Sequence, residues 1–185
     1  MKIVKKTLDI SSVPESGEII IDAEGHVAGR LASYIAKLLI EKPRLRVIVV
    51  NIDKAVVTGE RKMVIEWYKR KISEWRTHYN PEKVGPKVPR RPDRVFKRIV
   101  RGMLPKKTER GREALKRLRV YMSMPLELYN RKALVMYQIP KAMLKIRPLI
   151  KYITLEEIWK SVDQTAWEKW TKAKALWEKK IKTNV

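Results

Sequence analysis

The feature that most constrains the fold is a strand, a helix and a second strand packed into residues 19–51. IIID at 19–22 is a short unbroken apolar run, suited to a buried strand. A turn at Ala23, Glu24 and Gly25 follows. Then Val27, Leu31, Ile35, Leu38 and Leu39 recur every three or four positions, until Pro43 stops the pattern. RVIVVN at 46–51 is a second β-rich run without polar alternation, as expected of a strand covered on both sides. Two strands joined by one helix in this way must be parallel, with a right-handed crossover. The sequence therefore predicts an α/β body built on a parallel sheet.

The rest of the chain arranges itself around that unit. Residues 1–17 carry few strong signals, end in the loop-like SVPESG, and read as an arm or an edge strand. DKAVVTG at 53–59 reads as a short strand and turn. Residues 61–73 read as a helix with Met63, Val64, Trp67, Tyr68 and Ile72 as its apolar residues. Pro81, Gly85, Pro86 and Pro89 break regularity over 75–91, which predicts an extended basic loop with at most a brief strand at its start. Pro92 and Asp93 then suit a first helical turn, and Val95, Phe96, Ile99, Val100 and Met103 form one helical stripe ended by Gly102 and Pro105. A short helix over 108–118 has Thr108 as its N-cap, and RVYM at 119–122 suits another strand. The α/β body is thus expected over 18–122, followed at 123–153 by an extended segment lying on the domain or on a partner. Finally Thr154 and Glu157 have capping-box spacing. Leu155, Ile158, Trp159, Val162, Ala166, Trp170, Ala173, Trp177 and Ile181 predict a long amphipathic helix over 154–185, docked on its own domain, on RNA or on a neighbouring protein.

Charge then decides what such a body is for. The chain holds 43 Lys and Arg against 20 Asp and Glu, a formal net charge of +23. Between 83 and 112 there are 12 Lys or Arg against only Asp93 and Glu109. Like charges at this density oppose a compact state unless a polyanion neutralises them, which makes nucleic acid the expected partner. Arg90, Arg91, Arg94, Arg98, Arg101, Lys106, Lys107, Arg110 and Arg112 are the candidate contacts in this field. Trp75, His78 and Tyr79 at its start add planes on which unstacked bases could lie, which favours RNA. DNA is the competing polymer, lowered by the lack of a helix-turn-helix, zinc-finger or basic-zipper pattern.

Other chemistries find little equipment. With no cysteine there is no thiolate nucleophile, disulfide framework or zinc finger. His26 and His78 stand far apart with no metal-ligand spacing around them, and no cofactor is expected. Gly25 and Gly29 precede and enter a helix, yet neither GxGxxG nor GxxxxGK[ST] is present. The turn and close packing explain those glycines more simply than a nucleotide site, although a nucleotide-binding enzyme acting on RNA stays open as the alternative. Asp22 and Asp53 lie near strand ends, as caps or partners for arginines. The longest apolar runs are far short of the ~20 residues of a spanning helix, and the basic N-terminus lacks an apolar signal core, so an intracellular protein without membrane contact is expected.

Three stretches also carry a resemblance. IDAEGHVAGRLASYIAKLL at 21–39, VVNIDKAVVTG at 49–59 and VRGMLPKKTERGREALKRLRVY at 100–121 resemble, in order and spacing, the thirteenth protein family of the large ribosomal subunit. RGMLPKK at 101–107 is the most specific of them. The tail, with KYITLEEI, is similar to the longer archaeal and eukaryotic members, while the first helix ends IEKPR where many members carry a Gly-Lys turn. The resemblance implies a three-layer α/β/α domain with a mainly parallel sheet of about four strands. It also implies a non-enzymatic role in binding large-subunit ribosomal RNA and supporting assembly, in the cytoplasm, within the ribosome. Contact with RNA would map onto Gly25, His26, Gly29 and Arg30, onto Thr58, Gly59, Arg61 and Lys62, and onto the run from 98 to 112 including Gly102 and Gly111. Neighbouring large-subunit proteins would be the other partners, through the C-terminal helix, and no obligate homo-oligomer is implied.

Overall fold

The strand, helix and strand at the head of the body pair as their spacing requires. In the structure, a computed structural model, β1 (Lys2–Thr7) precedes β2 (Ser16–Asp22), α1 (Ala28–Glu41) and β3 (Arg44–Val50). Strands β2 and β3 are parallel, with Ile19, Ile20 and Ile21 opposite Val47, Ile48 and Val49. The described residues are 2–8, 13–75, 77–81, 83–129, 133–145 and 150–183. Positions of the expected arm, basic loop, extended segment and terminal helix outside those spans, and the side chain of Ile181, lie outside the described residues.

After β3 come β4 (Val56–Thr58), α2 (Arg61–Ser73), α3 (Pro92–Met103), α4 (Glu109–Lys116), β5 (Leu118–Val120) and α5 (Leu126–Tyr129). The chain closes with β6 (Ala133–Gln138), β7 (Tyr152–Thr154), α6 (Leu155–Val162) and α7 (Gln164–Thr183). The main sheet has five strands in the order β1-β6-β2-β3-β5, and each neighbouring pair is parallel. A second, two-stranded sheet pairs β4 with β7 antiparallel.

Side chains alternate across the main sheet, so each face has its own core. Ile19, Ile21, Val47 and Val49 meet the apolar sides of α1, α3 and α4, with Phe96 fully buried among them. Ile20, Ile48 and Val50 meet Leu134 and Met136 of β6, Leu128 of α5 and Met124 on the opposite face. Helices therefore cover both faces, the three-layer arrangement expected. The five strands differ from the expected four because β1 and β6 join this sheet, ALVMY running as an internal strand between β1 and β2, whereas the short strand at 56–58 leaves it to pair with β7.

Three further differences have local causes. The apolar residues of α2 are only partly covered: Val64 and Tyr68 are half-buried against the core, but Met63 is 64% and Trp67 49% exposed, because this helix lies on the surface against α6 rather than under another layer. On α3, Val95, Phe96 and Val100 are buried but Met103 is exposed, and Leu104 takes the inward place where the chain leaves the helix. The terminal helix is two helices. Asp163, at φ −144° and ψ 77°, interrupts it and caps the second one by accepting from the Ala166 amide at 3.3 Å. The capping at Thr154 and Thr108 is as expected: each hydroxyl accepts from an amide three residues on, Glu157 and Gly111.

Candidate nucleic-acid interface

The turn before α1 is closed by the protein's own backbone. Gly25 has φ +70°, the left-handed conformation that favours glycine, and its carbonyl accepts from Leu144 at 3.0 Å. Gly29 is exposed with open space where a Cβ would go, so helix packing does not require it, contrary to the expectation. Arg30 beside it is exposed. His26 turns inward instead. It is fully buried, its Nδ1–H donates to the Glu24 carbonyl at 3.0 Å, and its Nε2 accepts from the Ile139 amide at 3.0 Å. Both ring nitrogens are thus used in tying the α1 turn to the end of β6, which leaves none for a phosphate.

Burial holds the His26 pKa below its usual value, against the hydrogen bond that its ring donates to the Glu24 carbonyl, which favours the charged ring. The unfolded chain therefore takes up this proton first as pH falls through about 6.5. The contribution of His26 to stability is present above that pH and is lost as pH falls toward the folded value. Urea midpoints should fall between pH 7.5 and pH 5, and more steeply than in His26→Gln. Parallel curves for the two chains would show that the buried ring does not govern this window. Asp53 works in the opposite sense, since burial raises its pKa despite Lys174 at 3.2 Å. Asp22 is buried too, but Lys5 at 2.8 Å and Asn51 at 3.0 Å overcome that burial and hold its pKa low. The cations paired with the two aspartates are lysines rather than arginines, and Asp22 also accepts from the Glu24 amide at 3.2 Å, a local cap of the kind expected.

The second predicted group sits where β4 ends. Gly59, at φ +140°, donates its amide to the Lys151 carbonyl, and Thr58, Arg61 and Lys62 are exposed beside it. Arg61, Lys62, Lys151, Ile150, Tyr152 and Glu60 line one shallow groove. Lys151 was not among the expected contacts, because only the β4–β7 pairing brings residue 151 to residue 59.

The third group is the densest. Lys87, Arg94, Lys97, Arg98 and Arg101 line a groove along α3 with Pro89 and Leu115, and no carboxylate lines it among the described residues. The apolar stripe of α3 faces the core, so its arginines are driven to this outer side by the same periodicity. Lys87 and Lys97 were missed as site residues, although both belong to the same charge field. Other predicted residues are placed differently. Arg90 pairs with Asp163 at 3.3 Å and Arg91 with Asp93 at 3.1 Å. Arg98 donates to the Lys87 carbonyl at 2.8 Å, which holds the loop against the helix. Arg110 donates to the Ile40 carbonyl at the end of α1, at 2.9 Å. Gly102, Lys106, Lys107 and Arg112 are exposed around the turn into α4.

Gly111 is a packing residue. It is buried, and a Cβ there would stand 2.2 Å from the Pro105 carbonyl oxygen. Arg117, not predicted, donates to the carbonyls of Leu39, Lys42 and Leu45 at 2.7 to 3.1 Å and so satisfies the open end of α1. Lys42 donates to the Val13 carbonyl, which ties the residues before β2 to the same corner.

Among the described residues no cluster of three metal-ligating side chains exists, and no helix is long and apolar enough to cross a membrane. What the surface offers is cationic grooves on exposed helices and turns. In comparison with known proteins, a model of the family described as ribosomal protein L13 matches residues 17–127. The chain belongs to this family. It is 68% identical over 174 residues to a large ribosomal subunit protein uL13 of Pyrobaculum islandicum, covering 94% of each chain. With the uL13 of Pyrobaculum aerophilum it shares 69% identity over 182 residues, 98% of this chain and 97% of the relative. The uL13 of Archaeoglobus fulgidus is 47% identical over 140 residues, 75% of this chain and 83% of the relative. RGMLPKK at 101–107, within the span matched by the L13 family, forms the end of α3 and the turn toward α4, beside the cationic groove.

Proposed function

We propose that this L13-family chain is a structural, non-enzymatic constituent of the large ribosomal subunit in the cytoplasm, where it fastens segments of large-subunit ribosomal RNA. The groove of Lys87, Arg94, Lys97, Arg98 and Arg101 carries the reading: among the described residues, these cations converge there with no acidic residue in the lining. Phosphates are the ligand that such a groove suits, since guanidinium groups pair with phosphate oxygens in bidentate geometry. Arg30 and Lys62 extend cationic surface to other edges of the body, beside Arg61 and Lys151, which lie 3.9 Å from Glu157 and 3.8 Å from Glu60, and this suits recognition of a folded RNA by shape. Neighbouring subunit proteins would meet α7, whose Leu176 is 63% exposed.

Phosphate-driven binding must be salt-dependent. If about six phosphates are neutralised, log affinity for a large-subunit rRNA fragment should fall against log salt with a slope of roughly −4 to −5. Filter binding across 50 to 400 mM KCl, on the order of the range over which such slopes are read, checks this. A flat response would remove the mechanism. Co-sedimentation with large subunits, followed by crosslink mapping onto rRNA, would then identify the segments held.

A further inference from the structure

Beside the cationic groove, and sharing Arg98 with it, lies a second cavity of different chemistry. Trp67 and Trp75 stand two turns apart on and just after α2, and Val95 and Ile99 of α3 form its apolar floor. Both tryptophans are about half exposed, at 49% and 51%. Large aromatic surface is left open here. The cavity measures about 200 Å³, below the ~300 to 1,000 Å³ of pockets that hold drug-sized molecules, so it suits one flat ring system rather than a whole nucleotide.

The charges at its rim choose among occupants. The Lys71 ammonium lies 3.4 Å from the Trp67 ring centre and 5.0 Å from that of Trp75. The two carboxylates nearest along the helix, Glu66 and Glu74, both pair with Arg70 at 3.5 Å. Burial and then the Arg98 charge hold the Lys71 pKa below its usual value, as expected for an ammonium facing another cation. An apolar peptide would fill the cavity but leave these two cations facing each other. A nucleotide supplies both needs, with a π-face for the indoles and a phosphate for Lys71 and Arg98.

We infer that the Trp67–Trp75 cavity takes an unstacked base of the RNA strand whose phosphates run along the α3 groove. On binding, the base occupies the Trp67 face now covered by Lys71, and the lysine turns outward to the adjoining phosphate. The inference rests on the reading given under Proposed function, and it adds a stacking contact to what is otherwise phosphate binding.

The full chain should be titrated with a single-stranded oligoadenylate and with the same sugar-phosphate chain lacking bases. A stacked base adds roughly five- to a hundredfold in affinity, so the native chain should prefer the oligoadenylate by that factor, with quenching of tryptophan fluorescence. Trp67→Leu with Trp75→Leu should abolish the preference while leaving the abasic chain's affinity and its salt slope unchanged. Trp67→Tyr with Trp75→Tyr keeps two aromatic faces and should retain most of it. Equal affinities in the native chain, or a preference that survives the leucine variant, would overturn the inference. So would a leucine variant that binds both RNAs like the native chain but loses association with other subunit proteins, since the occupant would then be protein. Failure of the abasic chain to bind at all would instead strike at the groove itself. Equal thermal midpoints for the variants would show that folding is not the cause.

Discussion

Phe96→Ala is expected to cost about 3 to 5 kcal/mol of folding stability, the range for emptying a fully buried aromatic site. Phe96 is the only phenylalanine of the chain and is 0% exposed. It projects from α3 into the core shared with α1, β2 and β3. Both helices are held to the sheet by that core, so little can collapse into the space without moving one of them. Total stabilities are only about 5 to 15 kcal/mol, which makes the loss a large fraction of the whole. In a chain of this size the thermal midpoint should drop by on the order of 10 °C. RNA affinity measured on folded molecules should change little, because the removed ring faces away from the groove. A midpoint within a degree or two of the native chain would show that α3 is not anchored through this residue.

Reversing charge on the outer side of the same helix should do the opposite. In Arg94→Glu with Arg101→Glu, two cations of the groove become anions. Hydrogen bonds to charged groups are worth about 1.5 to 3 kcal/mol each, so rRNA affinity should fall by about a hundredfold or more at moderate salt. The salt slope should also become shallower by about one for each lost phosphate contact. Folding should be spared or slightly improved. Both side chains are exposed, and surface changes usually stay within about 0.5 kcal/mol. Easing the crowding of five cations also favours the compact state. If this double variant lost stability as Phe96→Ala does, the division of α3 into a packing side and a binding side would be wrong.

The α3 division was legible because both halves of it are local. Helical spacing assigns Val95, Phe96 and Val100 to one side from sequence alone, and the basic residues fall on the other. Gly111 and His26 were not legible in the same way. The resemblance puts both among the RNA contacts, until Pro105 is seen packed against Gly111 within α4 and Ile139, 113 residues after His26, is found on its ring. The cavity between α2 and α3 was hidden for a related reason: Trp67 fits a helical apolar pattern, and only the placement of α2 on the surface exposes it.

Local order along the chain thus announced the parallel βαβ unit, the caps at Thr108 and Thr154, the basic helix and the family. Those signals need only neighbours within a turn or two, or the contact rules of a single short crossover. Tertiary structure alone decided that ALVMY is an inner strand, since β6 is paired with strands more than a hundred residues away and nothing near it sets its register. It likewise decided which cations remain for RNA. Arg90, Arg110 and Arg117 look in sequence like Arg94 and Arg101, but a carboxylate or a helix-end carbonyl brought in by the fold has already claimed them. Charge is a property of the residue; its availability depends on every partner that long-range packing places within reach.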